Sequence, residues 1–389
     1  MYESVTAQRF MLRACVATLA VLSACGDTTT TRPIAVESAS LSLSGGAAAV
    51  GGVFVTTNAT SGNAVVAFAR AADGTLTPSG TFSTGGTGTG GTLDPLASQS
   101  AVALSNDNKH LYVVNAGSNS ISTFAVSGGT LTPLGTVPSA GTLPVSLTVS
   151  RNALFVLNAG SNAVAEFALG TDGTPAATPI ATASLGTPAS GASTISASRD
   201  GRFVLVTERD ANAIDVFTVS ANGALSAPVT THSNGATPFG FGFTPRGQAV
   251  VSEASGAVSS YGLNADGSLS LVSASVSTHQ AATCWLVVSN DGRFAFAVNS
   301  ASGSISAYRV ESDGSLQILS ADGRTGVTGD GTAPIDLGLS RDGKFLYVLN
   351  AAAGTIGAFG VERDGGLAAL AGATDVVAPA SGSQGLVAY

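Results

Sequence analysis

Apolar positions along the chain come in short runs separated by glycine-centred turns, most fully in 340–370, SRDGKFLYVLNAAAGTIGAFGVERDGGLAAL. That stretch holds an Asp-Gly turn, an apolar run ending in Asn350, a short loop, a second run centred on Phe359, and a further turn at Asp364 and Gly365. Six more copies precede it. The end of the second strand falls at Asn58, Asn115, Asn158, Glu208, Glu253, Asn299 and Asn350, and an aromatic follows eight to ten residues later, from Phe68 to Phe359. A turn glycine comes five or six residues after that, from Gly74 to Gly365, usually behind Asp or Asn. Asp-Gly and Asn-Gly supply the positive φ that tight hairpins need, so each such turn joins two antiparallel strands.

Each unit therefore reads as four short strands: an inner one such as 145–150, a second such as 111–115, a third such as 121–126, and an outer one containing Thr and Leu. In HLYVVN, 110–115, both faces are largely apolar, as in a sheet packed between neighbours. Four-stranded repeats of this length predict an all-β, seven-bladed β-propeller over 47–389. The first blade lacks an inner strand of its own, and 384–389, QGLVAY, matches one. The C-terminal strand is thus expected to close the ring against the first blade, leaving no open seam.

Composition narrows the class. With 49 glycines, 44 % apolar and 10 % charged residues, the chain reads as folded and β-rich. A net charge of −8 argues against a nucleic-acid partner, whose footprint is basic. At the N-terminus, Arg9 and Arg13 precede an apolar run over 14–22 that is too short to span a bilayer, and LSAC follows at 22–25. This resembles a lipoprotein signal peptide over 1–24 cleaved before a lipidated Cys25, with a Thr/Ser-rich tether over 25–46; an ordinary secretory signal is the alternative. Met11 is an alternative start to Met1, and Gly26 after the cysteine favours the outer membrane by resemblance to sorting rules. The protein is then held to the membrane by lipid alone, facing the periplasm. Cys284 is left as the single cysteine of the mature domain, and no disulfide is expected in it.

Chemistry should sit on the face carrying the loops after the second strands and before the inner strands. One sector of that face breaks the symmetry. Glu208 and Glu253 replace Asn there, and His232 and His279 stand in the loops that follow, with Gln280, Cys284 and Trp285 close by. One reading makes Glu253 a general acid or base aided by His279, Glu208 and Arg209, with His232, Gln280, Asn299 and Trp285 binding substrate. The other makes the glutamates loop caps and the histidines solvated. Cys284 reads as a structural thiol and Trp285 as ring packing in that case. His110, which stands where other copies carry Phe, reads as structural. No HxH or HExxH spacing marks a metal site, and no cofactor is expected. The run GGTGTGGT, 85–92, lacks the Lys and helix of a phosphate loop and reads as a flexible entry loop.

The S-x-D-G-x-x-L-Y-V-x-N run at 340–350 and the D-G-x-L turns resemble those of the seven-bladed lactonase family, which includes bacterial 6-phosphogluconolactonase and fungal carboxymuconate cyclase. The resemblance covers 47–389. It implies lactone hydrolysis or lactone formation by a His near the start of one inner strand, an Arg-His pair at the next, a Glu ending that blade's second strand, and a later Arg. Glu253 matches the Glu; the other positions fall near Ala192, at Pro238 and Phe239, and near Ala333. Loss of those basic residues deprives a sugar-phosphate lactone of its charge partners. Two functions follow as expectations: a lactone-handling enzyme of the cell envelope, or a non-catalytic lipoprotein whose loop face binds a protein or glycan. The expected state is a monomer.

Overall fold

The computed structural model describes residues 49–370 and 382–389; the signal peptide, the lipidation of Cys25 and the tether over 25–46, all three expectations from the sequence, lie outside them. Within 47–389, one compact unit, the repeat markers translate into local structure one by one. In the last blade (Pro334–Leu339, Phe345–Asn350, Thr355–Val361, Leu367–Ala369), the Ser340 hydroxyl donates to Asp342 Oδ1 at 2.6 Å and accepts the Phe345 amide at 3.0 Å. Gly343 completes the turn with a φ of +69°. Ser105, Ser198 and Ser289 make the same bond to Asp107, Asp200 and Asp291, which is the physical content of the S-x-D motif.

Seven four-stranded antiparallel sheets result, one of them extended by a short fifth strand, and their inner strands touch in a closed ring. The repeat aromatics Phe68, Phe124, Phe167, Phe217, Tyr261, Tyr308 and Phe359 are all buried at 3 % exposure or less. Burial of each such ring contributes roughly 2–3 kcal/mol. As expected, the C-terminal strand closes the ring against the first blade: Gln384–Ala388 pairs antiparallel with Gly51–Thr56, Val53 facing Ala388. Tyr389 stacks on Phe54 at 6.0 Å.

Two stretches depart from simple repetition. The glycine-rich run at 85–92 is held in place, because Asn58 at the end of its strand grips it: Thr89 N donates to Asn58 Oδ1 at 3.0 Å and Gly90 N to Asn58 O at 2.8 Å. The sixth blade adds Gly326–Val327, which pairs with Ser304–Val310. In the loop before it, Gly323 adopts a φ of +76°, and a Cβ there would lie 1.6 Å from the carbonyl oxygen of Thr278. Gly323→Ala is expected to destabilise by ~2 kcal/mol or more, read as a lower chemical-denaturation midpoint with an unchanged slope.

Candidate functional site

The loop face shows how the sequence-predicted residues are used. Glu253, at the end of Gln248–Glu253, is fully buried. Its Oε1 accepts Gly235 N at 3.0 Å and the Ser259 hydroxyl at 2.5 Å, and its Oε2 accepts the Ser275 hydroxyl at 2.7 Å. It caps the loop at 233–237, as Asn299 caps its own hairpin by donating to Ser304 and Ser306 while accepting from Thr283. Glu208 is also fully buried, and no donor reaches either carboxyl oxygen with good geometry. Burial, reinforced by the nearby Asp215 carboxylate, raises its pKa to about 7.

Among the described residues, neither histidine bonds to a glutamate oxygen. His232 is exposed on the outer strand Val229–His232, and His279 is exposed in the turn after Leu269–Ser277. Gln280 ties its amide to Asp322 O at 2.7 Å. Cys284 is half-buried, and burial pushes its thiol up to about 12, the range of an unreactive sulfur. Trp285 packs edge-on to Phe239 at 5.0 Å and donates Nε1–H to Ser98 O at 2.8 Å.

That last bond points to what occupies the axis. The connection from the first to the second blade, 92–100, crosses the loop end of the ring and closes it. Ser98 donates its hydroxyl to Val145 O at 2.9 Å, and Gln384 reaches both Asp94 Oδ1 at 3.1 Å and Ser98 O at 2.8 Å. Arg209 donates to Ala97 O at 3.0 Å, so its guanidinium pins this segment. Gln99 spans the ring: its Nε2 donates to Leu286 O at 2.8 Å and its Oε1 accepts Leu286 N at 3.0 Å, in the manner of a strand neighbour. Gly240 permits that approach, since a Cβ there would lie 2.1 Å from Gln99 Oε1.

Below this plug the axis opens. The first residues of the inner strands are almost all buried, whereas later ones such as Thr148, Val149, Val287 and Leu339 are half-exposed. They wall a shaft of about 450 Å³ that runs from Gln99 and Asp336 to a mouth at Asn106, Asn290 and Arg341, on the face of the Asp-Gly turns. Asp336 sits in a bulge of the inner strand with φ +48°, a strained conformation for a residue other than glycine. Its Oδ1 accepts Leu337 N at 2.9 Å, and its Oδ2 accepts Leu386 N at 3.1 Å and Ser100 N at 3.4 Å, so one carboxyl joins three blades. Burial outweighs these three donors and raises its pKa to about 7. Sequence reasoning passed over Gln99 and Asp336. The signal for Asp336 was present: a carboxylate inside the apolar strand PIDLGL is out of place unless the site demands it.

The architecture recurs in known proteins. A model of the family described as "Lactonase, 7-bladed beta-propeller" matches residues 58–188, 174–284 and 252–384. A comparison with curated proteins finds no significant match. Among solved structures, one from Bacteroides uniformis, provisionally assigned as a 6-phosphogluconolactonase, superposes with a TM-score of 0.69 at 20 % identity, over 87 % of this chain and 99 % of that one. The Pseudomonas aeruginosa periplasmic gluconolactonase gives 0.67 at 19 %, over 84 % and 97 %. At these identities the superpositions speak for the fold alone, whereas the sequence matches together run through nearly all of the ring. The chain belongs to the seven-bladed lactonase propeller family.

Proposed function

We propose that the protein handles a small lactone, held in the axial shaft, and that Asp336 is its acid/base group. The observation that carries this reading is the carboxyl itself: it lies at the inner end of a cavity with room for a sugar-like ring, and burial raises its pKa to about 7, which brings both protonation states within reach near neutral pH. In hydrolysis, ionised Asp336 takes a proton from a water as the water oxygen bonds to the lactone carbonyl carbon. The ring C–O bond then breaks, and the departing ring oxygen receives that proton, leaving a hydroxy acid. Asp336→Asn should lower kcat at least ~100-fold on any lactone that the wild-type protein turns over, because the variant cannot accept the proton. Turnover unchanged in Asp336→Asn would sink the assignment. The similar structures from Bacteroides uniformis and Pseudomonas aeruginosa suggest sugar lactones as the first panel to try.

The proposal extends to location: export through the leader, lipid attachment at Cys25 and display at the outer membrane facing the periplasm, as a monomer. A second reading, a binding module for an envelope protein or glycan, is favoured by one observation. Glu253, unlike Asp336, lies outside the shaft lining and turns its carboxyl oxygens to donors of its own blade and loop, so the loop face offers a surface in its place.

A further inference from the structure

The turns at the shaft mouth divide their charges unequally. Lys109, Arg202, Arg293 and Lys344 each pair with the aspartate of their own turn, at 3.8, 2.6, 2.8 and 3.8 Å. Arginines placed one residue before that aspartate have no such partner. Arg341 lines the mouth with its guanidinium free of hydrogen bonds and ion pairs among the described residues, and Arg199, which lines the neighbouring groove beside Arg202 and Phe203, reaches the rim by touching Asn290 O at 3.4 Å. Asn106 and Asn108 line the same opening, and among the described residues their side-chain amides make no hydrogen bond. Among the described residues, Asp336 is the acidic side chain in the shaft wall, at its buried end. A chain of net charge −8 thus presents unpaired positive charge around its axial opening.

We propose that this mouth, on the face opposite the loops, binds the carboxylate of a small hydroxy acid: Arg199 and Arg341 take the charge, and the amides of Asn106 and Asn108 take hydroxyl groups. The inference rests on the lactone-handling reading. A lactone is neutral at its ester; adding water breaks the ring C–O bond and yields a hydroxyl, a carboxylate and a released proton. The mouth therefore gains its strongest contact only after ring opening, and product should be retained there. Guanidinium–carboxylate pairs are the strong, geometrically selective class of hydrogen bond, and two of them at one opening discriminate acid from polyol.

The test is calorimetric titration of the full ring at fixed ionic strength with gluconate, with the uncharged polyol sorbitol and with inorganic phosphate. Gluconate is expected to bind at least ~10-fold tighter than sorbitol or phosphate, and the doubly substituted Arg199→Gln, Arg341→Gln protein to lose at least ~10-fold for gluconate with its melting temperature unchanged, both side chains being exposed. No gluconate binding, equal affinity for sorbitol, phosphate bound in preference to gluconate, or full affinity in the double variant would each overturn the proposal. Binding needs no turnover, so the two readings can fail separately. Arginine-dependent gluconate binding without hydrolysis of any lactone supports the mouth and removes the hydrolytic role; turnover with arginine-independent binding does the reverse.

Discussion

The ring is expected to melt at a higher temperature at pH 5 than at pH 8, a range over which its surface aspartates alone would give no change. Burial raises Asp336, Glu208 and Glu166 to about 7, against values near 4 in an unfolded chain. Between those two limits the folded state holds protons that the unfolded state has released. Stability is therefore fully present below about pH 4, falls as pH rises toward 7, and is flat above it. For Asp336, 1 % exposed, the difference amounts to roughly 4 kcal/mol. The turn aspartates act in the other direction: Asp200, held near 2 by the Ser198 hydroxyl and Arg202, contributes stability that is lost only as pH falls below about 4. A maximum between pH 4 and 5 follows. Asp336→Asn should flatten the slope between pH 5 and 8 in thermal unfolding followed by circular dichroism. A melting temperature that rises from pH 5 to pH 8 would show that these carboxyls are ionised in the folded ring.

Replacing Glu253 with alanine should cost about 3 kcal/mol of folding stability, the second large effect. The substitution leaves the Gly235 amide and the hydroxyls of Ser259 and Ser275 without their shared acceptor in a fully buried position, at roughly 1–3 kcal/mol for each group that finds no substitute. Glu253→Gln keeps one oxygen as acceptor and should cost about 1 kcal/mol. Denaturant titration of the two variants measures both. On any lactone the protein turns over, activity per folded molecule should survive in Glu253→Gln, because the carboxyl faces the loop it caps. A stable Glu253→Gln protein that has lost all turnover would return the acid/base role to Glu253.

The fold could be read from the sequence because each repeat marker has a local cause. The Ser-x-Asp turn, the positive-φ glycine and the aromatic of the third strand all fall within one blade, and each recurs in register. The site could not be read that way. Gln99 meets Leu286 across 187 positions of sequence, and Asp336 meets Leu386 and Ser100 from two other blades. Nothing within 92–100 announces that it turns inward; its density of non-glycine residues with positive φ, at Asp94, Ala97 and Ser100, is visible only in the folded backbone. Glu208 and Glu253 stood out because they broke a pattern. Breaking a pattern marks a local change of partner, and for Glu253 that partner is a trio of donors in its own blade and loop.

The bond pair between Gln99 and Leu286 has a mechanical meaning beyond closing the axis. Repeat arrays in which each unit touches only its neighbours can lose units one at a time from an end. A circle joined edge to edge already lacks an end, and a chord from the second blade to the sixth divides its circumference so that neither arc can loosen without straining the other. Local opening of a single blade is thereby coupled to distant ones, and the ring should exchange its inner amides with solvent as one cooperative body.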